Sequence, residues 1–270
     1  MPTLRAFVLA AAFLGLTLLS IPIQWLSIRL RLNLQRSYPH AYHRLLCRVF
    51  GIRLTILGKP IQDRGVLMVA NHTGYFDILI MSAAARVSFV AKKEVGSWPL
   101  FGLMARLQRS VFVDRERRSD AVHARDMLRD RLREGDALVL FPEGTSTDGN
   151  RIIPFKSALM GAAEAEIGTD AGGGPVYAPV QPVSISYVGM YGIPLGRENR
   201  PLFAWYGEMD LLPHLWEALK SGPLDVVVEF HPPLGTGPGC GRKQIAVAAE
   251  AIVRDGQIRA LNGDWGAAAA

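Results

Sequence analysis

Cysteine is almost absent from this 270-residue chain, with Cys47 and Cys240 the only two. Two cysteines cannot build a disulfide framework, and neither stands at a metal-ligand spacing, so a reducing compartment fits. No His, Asp or Glu set shows ligand spacing either, and no metal is expected. There is no GxSxG elbow and no reactive-cysteine context, which argues against covalent nucleophilic catalysis through a serine or cysteine. Charge is missing altogether between Arg5 and Arg29. That stretch, AFVLAAAFLGLTLLSIPIQWLSI, is long enough to cross a hydrocarbon core that needs about 20 apolar residues. A small-x-small cleavage site is also lacking after it, and the run is long for a signal peptide, so it is expected to stay as a membrane anchor. Pro22 and Gln24 leave open whether the helix spans the bilayer or lies in its interface.

What is present completes the outline. Hydrophobic residues make up 49% of the chain and charged residues 20%, a balance that suits a folded core and argues against disorder. The net charge is +6. Arg29, Arg31, Arg36, Arg44 and Arg48 crowd the C-terminal side of the apolar run. This bias predicts a cytoplasmic main domain on a bacterial-type inner membrane, with arginines drawn to anionic headgroups. The expected organisation is an anchor and basic segment over 1–36, one domain over 37–262, and a flexible tail over 263–270.

After the anchor, SYPHAYHRLLCRVFG reads as an amphipathic helix closing on Gly51. His40 and His43 fall within it and are read as solvated or interfacial. Short β-branched runs then alternate with helical segments. Strands are expected at IRLTILG, GVLMVAN, VSFVAKK, SVFVDR, DALVLFPEG, APVQPVSISY and LDVVVEFH. Helices are expected over 76–85, 98–107, 119–133, 155–166, 210–220 and 241–261. Such alternation predicts an α/β fold with a mostly parallel sheet flanked by helices. GTDAGGGP lacks phosphate-loop spacing and reads as a flexible connection.

Three polar residues fall at predicted strand ends: His72 after 65–71, Glu143 after 137–142, and Arg115 after 110–114. Open parallel sheets bind ligands at the carboxyl ends of their strands. In VANHTGYFDILI, His72 and Asp77 lie five residues apart. On a continuous helix they would point about 140° apart and could not meet. A turn at Thr73-Gly74 would fold the segment back and let Asp77 orient the imidazole, the arrangement of a general base with its carboxylate. His123, on a charged helix, reads as solvated, and His231 has no supporting motif.

Four blocks in order resemble the glycerolipid acyltransferase family typified by 1-acylglycerol-3-phosphate acyltransferase. They are NHTGYFD, AKKEVGSWPLFGLMARLQRSVFVDRERR, FPEGTS and VQPVSISY with Pro182, running from about residue 54 to 190. The resemblance implies an acyltransferase domain in which His72 deprotonates an acceptor hydroxyl and Asp77 orients His72. It implies that Arg115, Glu143, Gly144 and Thr145 contact the acceptor. The donor would be the thioester of an acyl carrier protein or coenzyme A, with no cofactor beyond it. The strands and helix 98–107, with Trp98, Phe101, Leu103 and Met104, would line an acyl groove.

One departure bears on the acceptor. Phosphatidate-forming members usually carry arginine after Glu-Gly-Thr, and this chain has Ser146. Arginine is a bidentate, permanently charged clamp that a hydroxyl cannot replace. Lys92, Lys93, Arg151 or Lys156 would then have to stand in for it. FPEGTSTDGNRIIPFKSAL also resembles bacterial lyso-ornithine lipid acyltransferases. Family frequency puts 1-acylglycerol-3-phosphate first as acceptor, and Ser146 favours lyso-ornithine lipid as the alternative. The rival from another class is a non-catalytic lipid-binding membrane module. Nucleic-acid binding has no recognisable module behind it.

Overall fold

The computed structural model describes residues 1–114, 118–170, 172–237 and 239–265, with the side chains of 118–122 outside that description. Arg115 therefore lies outside the described residues. Two helices lead, α1 (Pro2–Arg29) and α2 (Leu34–Phe50), the second closed by Gly51 in the left-handed region at φ 76°. The main fold follows as β1 (Arg53–Gly58), β2 (Val66–Ala70), α3 (Phe76–Ala84), β3 (Ser88–Lys92), α4 (Phe101–Leu107), β4 (Val111–Val113), α5 (Arg118–Arg133) and β5 (Ala137–Leu140). After a long irregular segment come β6 (Glu166–Thr169), β7 (Pro175–Tyr177), β8 (Val180–Met190), β9 (Ile193–Pro194), α6 (Gly196–Asn199), α7 (Leu211–Ser221), β10 (Leu224–Phe230) and α8 (Arg242–Asn262).

The main sheet has the order β1-β10-β8-β2-β5-β3-β4, with β9 paired to β8. From β8 to β4 every neighbouring pair is parallel, whereas β10 runs antiparallel to β8 and carries β1 parallel to itself. The expectation of a mostly parallel, helix-covered sheet is met. All five residues of β2 are buried, as a central strand covered on both faces requires. Its alternation splits the core. Val66, Met68 and Ala70 join the cluster under α1, α2, α3 and α7, and Leu67 and Val69 join the cluster under α5 and α8.

Two expected segments differ. The helix expected over 155–166 is an irregular stretch followed by a 3-10 turn at Met160–Glu164 and then β6. Here the backbone amides go to distant acceptors: Ile153 to Glu143, Phe155 to Glu250 and Lys156 to the Pro142 carbonyl. Those partners hold the start of the segment extended, and beyond it the local bonds run i→i−3, from Met160 to Ser157, Ala162 to Leu159 and Ala165 to Ala162. GTDAGGGP, expected as a loose connection, turns between β6 and β7, with the Asp170 carboxylate accepting the amides of Gly172 and Gly174 at 2.8 Å each.

The first helix runs unbroken through Pro22 and packs against the domain along its length. Thr17 and Gln24 are buried. Arg5 donates to the Leu219 and Phe50 carbonyls, Thr17 bonds Tyr42 at 2.6 Å, and Gln24 donates to the Gln35 and Leu107 carbonyls at 3.0 and 2.8 Å. Its other face leaves Leu4, Phe7, Val8, Leu18, Leu19 and Trp25 exposed. With a mean hydropathy of 2.3 over its most apolar window, α1 gives the chain a membrane-associating surface.

Candidate active site

His72 follows β2 directly, and Glu143 and Lys92 stand at the carboxyl ends of β5 and β3, so three adjacent parallel strands deliver them to one edge. Asn71 secures the first of these ends, because its side chain both donates to and accepts from the backbone of Ile185 on β8 at 2.8 Å. The chain then reverses over Thr73 and Gly74 and enters α3. At Gly74 a Cβ would lie 2.9 Å from the Trp205 amide nitrogen, so the turn admits no side chain. Trp205 closes over this turn, its amide donating to the Thr73 carbonyl at 2.9 Å.

The reversal brings His72 and Asp77 together. His72 Nδ1 lies 2.8 Å from Asp77 Oδ2. The same oxygen accepts the amides of Thr73 at 2.6 Å and Gly74 at 3.0 Å, and Oδ1 accepts the Tyr187 hydroxyl at 2.8 Å. Asp77 is fully buried at the first turn of α3, whereas the His72 side chain keeps 23% of its exposure. With Nδ1 facing a carboxylate, the ring carries its proton there and leaves Nε2 for a substrate. Phe141 stacks on the imidazole, with centroids 4.1 Å apart and planes 15° apart.

Glu143 is placed differently from its expected contact with an acceptor. It is fully buried, and its oxygens accept the amides of His72 at 2.7 Å and Ile153 at 3.0 Å. Burial raises its pKa from 4.5 to about 7, against the lowering effect of those two amides. Glu143 therefore holds the backbone of His72 in place from behind. Gly144, next to it, takes φ 78° and lines the site with Thr145. Ser146, at the position of the missing arginine, donates to the Trp205 carbonyl and so fastens the loop above the histidine.

His72 opens on a cavity of about 1140 Å³. Its walls come from α1 (Phe13, Thr17), α2 (Tyr42, Leu46), α3 (Leu79), α4 (Phe101, Met104) and α7 (Leu215), together with Trp98 and Trp205. Lys92, Lys156, Gly144 and Thr145 border the same space, whereas Arg151 does not. Lys93 pairs with Asp114 at 3.6 Å. Of the expected groove residues, Trp98, Phe101 and Met104 line the cavity and Leu103 does not. Among the described residues no His, Cys, Asp and Glu group could hold a metal ion. Sequence reasoning assigned no role to Asn71, Tyr187 or Trp205. Tyr187 closes the fourth block, yet only the pairing of β8 with β2 reveals its contact with Asp77.

Comparison with known proteins fits this arrangement. Residues 52–186 match the family model described as Acyltransferase. The chain is 45% identical over 252 residues to a lyso-ornithine lipid O-acyltransferase of Brucella abortus, covering 93% of each chain. It is 33% identical over 176 residues to a 1-acyl-sn-glycerol-3-phosphate acyltransferase of Neisseria gonorrhoeae, covering 64% of this chain and 63% of that one. Its fold is similar to the crystal structure of the 1-acyl-sn-glycerophosphate acyltransferase of Thermotoga maritima, with TM-score 0.60, 20% identity, and coverage of 96% and 94% of the two chains. The chain belongs to the acyltransferase family. It is an enzyme of acyl transfer, and the non-catalytic reading falls away.

Proposed function

We propose that this enzyme moves an acyl chain from a thioester donor to the free hydroxyl of lyso-ornithine lipid, at the surface of a membrane. The observation that carries the chemistry is a histidine, oriented by a buried aspartate, facing an apolar cavity large enough for a lipid chain. His72 Nε2 takes the proton of the acceptor hydroxyl as its oxygen attacks the thioester carbonyl. The tetrahedral intermediate then collapses, the carbon–sulfur bond breaks, and the leaving thiolate recovers the proton from His72. Asp77 stabilises the imidazolium between these steps. The acyl carrier protein or coenzyme A that bears the donor chain is met from the cytoplasmic side of the inner membrane, as the arginines following α1 favour.

The choice of lyso-ornithine lipid rests on two supports: the Brucella relative so named, and Ser146 where phosphatidate-forming members usually carry arginine. A second reading, 1-acylglycerol-3-phosphate as acceptor, is favoured by Lys92 and Lys156 at the cavity wall, which bring positive charge without an arginine. Purified protein reconstituted in vesicles, offered both acceptors in parallel with labelled acyl donor, separates the two. Acylated ornithine lipid as the main product supports the first reading. Phosphatidate as the main product overturns it in favour of the second.

A further inference from the structure

The Asp77 carboxylate is held at both oxygens, but from two different parts of the fold. Oδ2 gathers the His72 ring and the Thr73 and Gly74 amides, all from the segment just before α3. Among the described residues Oδ1 has one partner, the hydroxyl of Tyr187 at 2.8 Å, which comes from β8. Tyr187 is 2% exposed and is among the largest fully buried side chains. Burial holds its phenol well above the ordinary range, so it stays protonated and donates at any working pH. Among the described residues only this bond holds Oδ1, because the three other donors all converge on Oδ2.

We propose that Tyr187 is a positioning residue for acyl transfer, acting on His72 through Asp77. It rests on the reading of His72 as general base. The hydroxyl draws part of the carboxylate charge onto Oδ1 and sets the plane in which Oδ2 meets the imidazole N–H. Without it, charge concentrates on Oδ2, the imidazolium is held more tightly, and His72 surrenders its proton less readily to the leaving thiolate. The other ionisable groups around the pair include Glu143, whose carboxyl feels the charge of Arg254, Tyr75 near Tyr187 with His214 bonded to it at 2.8 Å, and Lys92, Glu94 and Lys156 on the cavity wall. None of them bonds Asp77 among the described residues.

The test is a cycle of full-length, vesicle-reconstituted variants: Tyr187→Phe, Asp77→Asn, the double variant, and His72→Ala as the reference. Tyr187→Phe is expected to lower kcat about tenfold, to leave the acceptor and donor KM unchanged, and to move the acid limb of the kcat/KM profile to higher pH. In the Asp77→Asn background the same substitution is expected to change the rate by less than about twofold, since its route to His72 is already cut. A purely structural role would lower the amount of folded enzyme and leave the profile where it was, which overturns the proposal. Equal losses in the two backgrounds would overturn it as well. Should His72→Ala keep full activity, the general-base reading itself fails and the proposal with it. Should His72→Ala be inactive and Tyr187→Phe indistinguishable from wild type, only the proposal fails.

Discussion

The strand-end corner and the cavity beneath it are built by opposite rules. At the corner, both oxygens of Asp77 and both of Glu143 have donors, and Asn71 is bonded in both directions. In a low-dielectric interior an unmatched polar atom is costly, so such a network leaves little freedom to any member. The cavity wall is mostly apolar, with side chains from five helices, α1, α2, α3, α4 and α7, making up much of it. Dispersion and hydrophobic contacts are non-directional, and many side chains of similar volume could serve there. Under the proposed function, reaction geometry is thus set atom by atom, whereas chain selection is a matter of shape. Substitutions in the two regions should accordingly fail in different ways.

The largest effect is expected for His72→Ala, which should reduce acyl transfer by roughly 10³-fold. Vesicle binding should survive, since the exposed face of α1 is untouched, and a sedimentation assay beside the activity assay checks both. Gly74→Ala comes next. A methyl group there meets the Trp205 amide at 2.9 Å, so the Thr73-Gly74 turn must shift. A displacement of His72 near 1 Å would cost on the order of 10²-fold in kcat. Acceptor KM measured alongside should change much less.

Met104→Trp addresses the cavity. It fills space at α4, and kcat/KM for long acyl donors should fall about tenfold while short donors react as before. A donor-length series reads this directly, and equal losses at all lengths would mean that the cavity does not hold the donor chain. The smallest effect is expected for Glu143→Gln, in the pH dependence of stability. Burial raises the Glu143 pKa from 4.5 to about 7, so the folded state keeps its proton over that interval while the unfolded chain loses it. Stability from this group is complete below the lower value and is lost as pH rises through the higher one. The variant should flatten that decline, and thermal midpoints between pH 4 and 8 test it.

Much of this was legible along the chain. His72 and Asp77 stand in one short block, and Thr73-Gly74 already demanded a reversal between them. Glu143 was visible as a carboxylate straight after an apolar strand, yet its direction was not. A strand end tells where a residue sits, while its partners, the amides of His72 and Ile153, come from other segments. The region 155–166 failed as a helix for a related reason, the amides of Phe155 and Lys156 at its start being claimed by Glu250 and the Pro142 carbonyl.

The N-terminal helix draws the same line. Its uncharged run was enough to mark an apolar helix, because hydropathy is a sum over neighbours in sequence. That Arg5, Thr17 and Gln24 would turn inward, and that Phe13 and Thr17 would line the cavity reached from His72, needed the packing of α1 on α2, α4 and α7. By itself the sequence determined the alternating α/β architecture, the pairing of His72 with Asp77 and the membrane-seeking segment, since periodicity, turn chemistry and composition are local. Only the tertiary structure decided that Glu143 faces inward, that Tyr187 holds Asp77, and that α1 walls the cavity. Each of these joins residues far apart in the chain, and such contacts exist only once the sheet is assembled.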